Sequence, residues 1–150
     1  MFNKILLPTD ASATAKTAAE IVANQIPAGS DTTVTIILVI QPLNPDETDF
    51  DEEVVERHNQ KMHEKAQEAL NLTARIFANR GIAHTVKIVE GDPVSTAIAH
   101  EAETGDYDLI AMGSRGLGMA KNNLHYLGSV TEHVIRRVSI PVLVIPTAKV

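Results

Sequence analysis

The chain has 150 residues, 13 Lys and Arg against 19 Asp and Glu for a formal net charge of −6, no Cys, no Trp, and only two Tyr and three Phe. A chain of that length buries roughly 70 % of the surface its unfolded state exposes, enough for one domain over residues 1–150 with a full core. The lack of Cys excludes a disulfide scaffold, a thiolate metal cluster and a cysteine nucleophile, and the acidic balance excludes long polyanions such as nucleic acid, whose affinity comes largely from Lys and Arg.

The charge is unevenly spread. Residues 1–112 hold 8 Lys and Arg against 18 Asp and Glu, a net of −10, whereas residues 113–150 hold 5 against 1, a net of +4. Met1-Phe2-Asn3-Lys4 leads into an apolar run with no signal-peptide pattern, and runs such as Ile36–Ile40 fall far short of the roughly 20 residues that span a bilayer. A cytoplasmic protein without a membrane partner is expected.

In chain order, the first strand is expected at Lys4–Leu7. A helix follows over Ala13–Gln25, with Ser12 as N-cap and Thr17/Ile21 and Ala18/Val22 at i, i+4 spacing. Thr33–Ile40 reads as the second strand. The acidic run Asp46–Glu53 then suits the N-terminus of a long helix, Asp51–Arg80, stopped by Gly81. Its stripe is Val55, Met62, Ala66, Ala69, Ile76 and Phe77, and its first turns are expected to be irregular. His84–Val89 is the third strand, and Pro93–Glu103 a helix capped by Asp92 with Pro93 in its first position. Leu109–Met112, a helix over Ser129–Arg137 ended by Pro141, and Val142–Ile145 complete the alternation. The apolar runs are nearly continuous, so both sheet faces must be covered. The fold class predicted is α/β: a five-stranded parallel open sheet with helices on both faces and a ligand site beyond the carboxyl ends of its strands.

Gly113, Gly116, Gly118 and Gly128 are four of the 8 glycines and sit between a buried strand and a helix. Glycines let a ligand approach the main chain, and N–H groups at a helix N-terminus attract anions, so this layout suits a phosphate. It lacks the Lys of a Walker A loop and does not follow the first strand as a dinucleotide fingerprint does. A surface loop without a ligand is the other reading. Arg115 and Lys121 are phosphate contacts or solvated charges, and Arg136 and Arg137 suit a helix C-terminus. Asp10 is either a cap or a ligand contact. His58 and His63 lack a second pair at metal-ligand spacing and read as solvated, while His125 and Tyr126 could cover a base or phosphate. No serine sits in a nucleophile elbow.

Ile5-Leu6-Leu7-Pro8-Thr9-Asp10-Ala11-Ser12, Gly113-Ser114-Arg115-Gly116, Gly128-Ser129-Val130-Thr131-Glu132 and Ile140-Pro141-Val142-Leu143-Val144-Ile145 together resemble the universal stress protein family over essentially the whole chain. The ATP-binding branch reads Gly, two residues, Gly, nine residues, Gly-Ser/Thr; here eleven residues separate Gly116 from Gly128, a departure of two. The resemblance implies a Rossmann-like fold and an adenine nucleotide, ATP or else ADP or AMP, with or without Mg2+. It implies that Pro8, Thr9 and Asp10 lie near the adenosine, Val39 at the adenine edge, Met112 and Gly113 along base and ribose, and Arg115, Gly116, Gly128, Ser129 and Val130 at the phosphates. It also implies a homodimer paired through Val142–Ile145, an apolar strand that needs covering if it is the sheet edge.

The resemblance implies a stress-response or regulatory protein that binds the nucleotide with little or no turnover. A slow ATPase or autophosphorylating enzyme is the alternative, using Arg115, Lys121 and Ser129. A third reading is a receiver-type phosphoacceptor with Asp10, Asp92 and Lys149. A flavin site is disfavoured by the scarcity of aromatics.

Overall fold

A computed structural model of the chain describes residues 2–114 and 127–146. Five parallel strands, β1 (Lys4–Pro8), β2 (Thr33–Ile40), β3 (Ala83–Glu90), β4 (Leu109–Gly113) and β5 (Val142–Ile145), form one sheet in the order β3-β2-β1-β4-β5. Between them run α1 (Ala13–Gln25), α2 (Glu52–Ala78), α3 (Val94–Thr104) and α4 (Ser129–Arg137), with a single 3-10 turn at Pro45–Glu47. This is the doubly wound arrangement expected for apolar strands alternating with amphipathic helices.

Alternate residues of each strand feed two cores. Ile5 and Leu7 of β1, Val34 and Ile36 of β2, and Leu109 and Ala111 of β4 pack with α1 and with Leu70 and Phe77 of α2. Leu6, Ile37, Ile110 and Met112 point the other way and pack with Ile98 and Ala102 of α3 and Val134 of α4. Leu6, Leu7, Ile36, Ile37, Leu70, Phe77, Ile110 and Val134 are all fully buried. Each contributes about 1.5–3 kcal/mol of hydrophobic stabilisation, so the central strands are anchored from both faces.

Ser12 caps α1 as expected: its Oγ accepts from the Ala15 amide at 3.1 Å. Gly81 stops α2 with φ +67°, a conformation that suits glycine, and the Ile82 amide bonds back to the Phe77 carbonyl at 3.0 Å. Several details differ from expectation. The buried face of α1 is Ala18, Ala19, Val22 and Ala23, because the small residues let the helix lie close to the sheet; Ile21 is exposed. Leu70, absent from the expected stripe of α2, is at its centre. That helix is regular from Glu52 onward, and the irregularity lies before it, around Pro45–Glu47. Pro93 rather than Asp92 occupies the N-cap of α3, since the Asp92 carboxylate accepts instead from Gln41 Nε2 at 2.7 Å. β3 is not a continuous buried run but alternates exposed and half-buried residues, as an edge strand does.

Candidate functional site

From β1 the chain passes through α1 to β2, β1's neighbour on one side, while β4, its neighbour on the other, is reached from β3 through α3. The strand order therefore reverses between β1 and β4. Connections leave these two strands over opposite faces of the sheet, opening a crevice at their carboxyl ends, where doubly wound sheets bind ligands.

One wall is the turn after β1. The Thr9 amide bonds to the Ile37 carbonyl at 2.8 Å, tying the turn to β2. Asp10 Oδ1 accepts from the Ser12 amide at 3.0 Å, and Thr9 Oγ1 accepts from the Ala11 amide at 3.3 Å. Because Ser12 takes the capping role, Asp10 is not the N-cap of α1; it closes a tight turn and holds its carboxylate, half-buried, beside the end of β1. Ala11 sits at φ +66°, a left-handed conformation that costs a non-glycine residue about 1 kcal/mol and is sustained by these side-chain bonds.

The other wall joins the end of β4 to the start of α4. The Ser114 amide bonds to the Ile145 carbonyl at 2.9 Å, and the Gly128 amide to the Ser114 carbonyl at 2.7 Å. Thr131, buried in the first turn of α4, donates from Oγ1 to the Gly113 carbonyl at 2.9 Å. These bonds seat the N-terminus of α4 on the end of β4. Gly128, not Ser129, is the N-cap, and no side chain caps the helix; Ser129 occupies the first helical position and is exposed. The amides of Ser129, Val130 and Thr131 accordingly have no intrahelical acceptor and carry the positive end of the helix dipole.

The crevice thus brings Pro8, Thr9 and Asp10 to one wall and Gly113, Gly128, Ser129 and Val130 to the other. Met112 is buried beneath, on the same sheet face as half-buried Val39. Arg115 and Gly116, with Lys121, His125, Tyr126 and Lys149, lie outside the described residues. Sequence reasoning missed Thr131 and the Ser114 carbonyl as the pieces that close the glycine segment. The available signal was the i, i+3 spacing of Thr131 and Val134, which puts the threonine on the buried side of α4.

Other expectations are corrected. Asp92 follows β3 at the sheet edge, and β2 stands between β3 and β1, so Asp10 and Asp92 do not share the pocket a receiver needs. His63 is not simply solvated: its Nε2 lies 3.0 Å from Glu90 Oε1. Arg136 and Arg137 do occupy the last turn of α4, Arg136 pairing with Glu132 at 2.8 Å. Among the described residues no group of three His, Asp or Glu could hold a metal ion, and no helix is long and apolar enough to cross a membrane.

Two groups with perturbed proton affinity lie at the amino ends of the strands, away from the crevice. The amide of Ser139 at 2.7 Å and its hydroxyl at 2.9–3.0 Å hold the Glu103 carboxyl below its usual range. Burial pushes the Tyr107 phenol up; its OH donates to Glu101 Oε1 at 3.2 Å.

A five-stranded parallel, doubly wound sheet with the N-terminus of α4 seated on the end of β4 at its switch point defines the architectural class, an open α/β fold. Residues 1–146 match the model of the universal stress protein family, and the chain belongs to that family. It is 34 % identical over 146 residues to Universal stress protein Sll1654 of Synechocystis sp., covering 97 % of this chain and 87 % of that one. The solved structure of hypothetical protein MJ0577 superposes with a TM-score of 0.85 at 32 % identity, covering 100 % of this chain and 99 % of that one. A universal stress protein solved in complex with cAMP superposes at 0.71 with 25 % identity, covering 98 % and 99 %.

Proposed function

We propose that this chain binds an adenine nucleotide in the crevice between β1 and β4 and acts as a regulatory protein of the stress response with little or no turnover. The observation that carries the reading is the seating of α4 on β4 by the Gly128–Ser114 and Thr131–Gly113 bonds, which aims the unpaired first-turn amides of the helix into the crevice. Gly128 there adds no side chain, so phosphate oxygens can approach the backbone. On the opposite wall the Asp10 carboxylate can accept from ribose hydroxyls or the adenine amino group. Val39 and Met112 supply an apolar floor for the base. The family relative holding cAMP supports the adenine nucleotide class.

The ligand in this reading is ATP, or ADP or AMP, with Mg2+ entering as a companion of the phosphates. Arg115 and Gly116 would join Gly128, Ser129 and Val130 around them. The surplus of basic residues in 113–150 favours a small polyanion at this segment while the acidic remainder repels large ones. The reading takes residues 1–150 as one nucleotide-binding domain, working in the cytoplasm as a homodimer through β5. That strand is at the sheet edge with Leu143 44 % exposed, so a second copy would cover it.

Isothermal titration with ATP and AMP, with and without magnesium, tests the reading; binding by either supports it, and silence from both at millimolar ligand removes it. Phosphate release no faster than in a Gly116→Val control is the expected result for turnover, and a clear excess would favour the slow-ATPase alternative.

A further inference from the structure

Outside the crevice, a cavity of about 270 Å³ lies between the first turn of α1 and the C-terminal half of α2. It exists because Ala13 and Ala69 face it where larger side chains would close it. Its wall includes Leu72, 63 % exposed, an apolar surface left open. The buried hydroxyl of Thr73 has already given its proton to the Ala69 carbonyl at 3.0 Å, so the cavity's cationic donor is Lys16. Lys16 makes no ion pair among the described residues, and the acidic group at this end of α1, Asp10, bonds to the Ser12 amide instead. A single exposed cation without an ion-pair partner therefore stands beside an apolar hollow.

We propose that this cavity is a second ligand site, for a short aliphatic carboxylate whose chain lies between Ala13 and Ala69 against Leu72 and whose carboxylate meets Lys16. Its volume sits just below the roughly 300–1,000 Å³ of ordinary ligand pockets, room for a chain of several carbons. Thr9 lines both this cavity and the crevice, yet the carboxylate site stands whether or not the crevice binds a nucleotide.

The test is a titration of the full-length, methyl-labelled chain with octanoate and, separately, with octanol. The methyl signals of Ala13, Ala69 and Leu72 are expected to move, and octanoate to bind about two- to fivefold tighter than octanol, the advantage an exposed ion pair supplies. Lys16→Gln should erase that preference while leaving octanol binding intact. Ala69→Leu should fill the hollow and abolish both, with a retained melting temperature to certify folding. Three outcomes would overturn the proposal: no methyl shift with millimolar octanoate, equal binding of the acid and the alcohol by the unmodified chain, or undiminished binding by folded Ala69→Leu.

Discussion

Replacing Thr131 by valine tests the joint on which the crevice depends. Valine matches threonine in shape, so it opens no cavity in a site only 4 % exposed; what it removes is the Oγ1 donor 2.9 Å from the Gly113 carbonyl. A buried acceptor stripped of its donor costs about 1–3 kcal/mol. For a chain of 150 residues each kcal/mol lowers the melting temperature by about 2–4 °C, so the variant should melt roughly 2–12 °C lower. Thr131→Ser keeps the donor and loses one methyl, a penalty of about 1 kcal/mol. Urea unfolding should show the same ordering through the midpoint with unchanged slope. Faster amide exchange at Gly128 in the valine variant would localise the damage to the seat of α4. If Thr131→Val is as stable as the parent chain, or serine costs more than valine, the hydroxyl does not hold α4 on β4 and the reasoning fails.

Other perturbations follow from the same geometry. A Cβ added at Gly105 would fall 2.2 Å from Tyr107 Cε2 and 2.9 Å from the Glu101 carbonyl, so Gly105→Ala should lose about 1–3 kcal/mol by overpacking; an unchanged denaturation midpoint would contradict it. Glu103 has a folded-state pKa held below its unfolded value by Ser139, so its contribution is present above the unfolded value and is lost as pH falls through the folded one. Glu103→Gln should therefore lose less stability than the parent chain below about pH 5, which melting curves across pH 3–6 would reveal, and identical pH dependence would refute the role. If the proposed pairing through β5 holds, the parent chain should scatter light as a dimer and Leu143→Lys as a monomer with a nearly unchanged melting temperature; a monomeric parent or a persistent dimer in the variant would contradict it.

The architecture was legible because apolar runs of strand length alternate with helical stripes and with caps whose chemistry is local: Ser12, Gly81 and Pro141 all mark boundaries without help from tertiary contacts. The glycine segment was equally visible as a strand-to-helix connection. The strand order was not, because right-handed crossovers constrain each connection but not which neighbour is reached; placing β2 between β1 and β3 is what separates Asp10 from Asp92. The cap assignment at Asp92 failed where a competing partner decides. Gln41, 51 positions away in sequence, takes the Asp92 carboxylate, and the buried Thr131 seats α4 so that Gly128 takes the cap. Thr131 itself reads as an ordinary polar residue until the fold sets it against Gly113. The ladder also explains β3: an edge strand needs only one well-covered face, so His84, Val86 and Ile88 turn inward while Thr85 and Lys87 do not.

Whether the crevice between β1 and β4 holds an adenine nucleotide is tested most directly by a backbone amide shift titration of the whole chain with AMP. Saturable shifts are expected at Asp10, Gly113, Gly128, Ser129 and Val130, with the far edge of the sheet around Asp92 and His63 undisturbed. Shifts confined to that edge, or none at millimolar AMP or ATP, would contradict it.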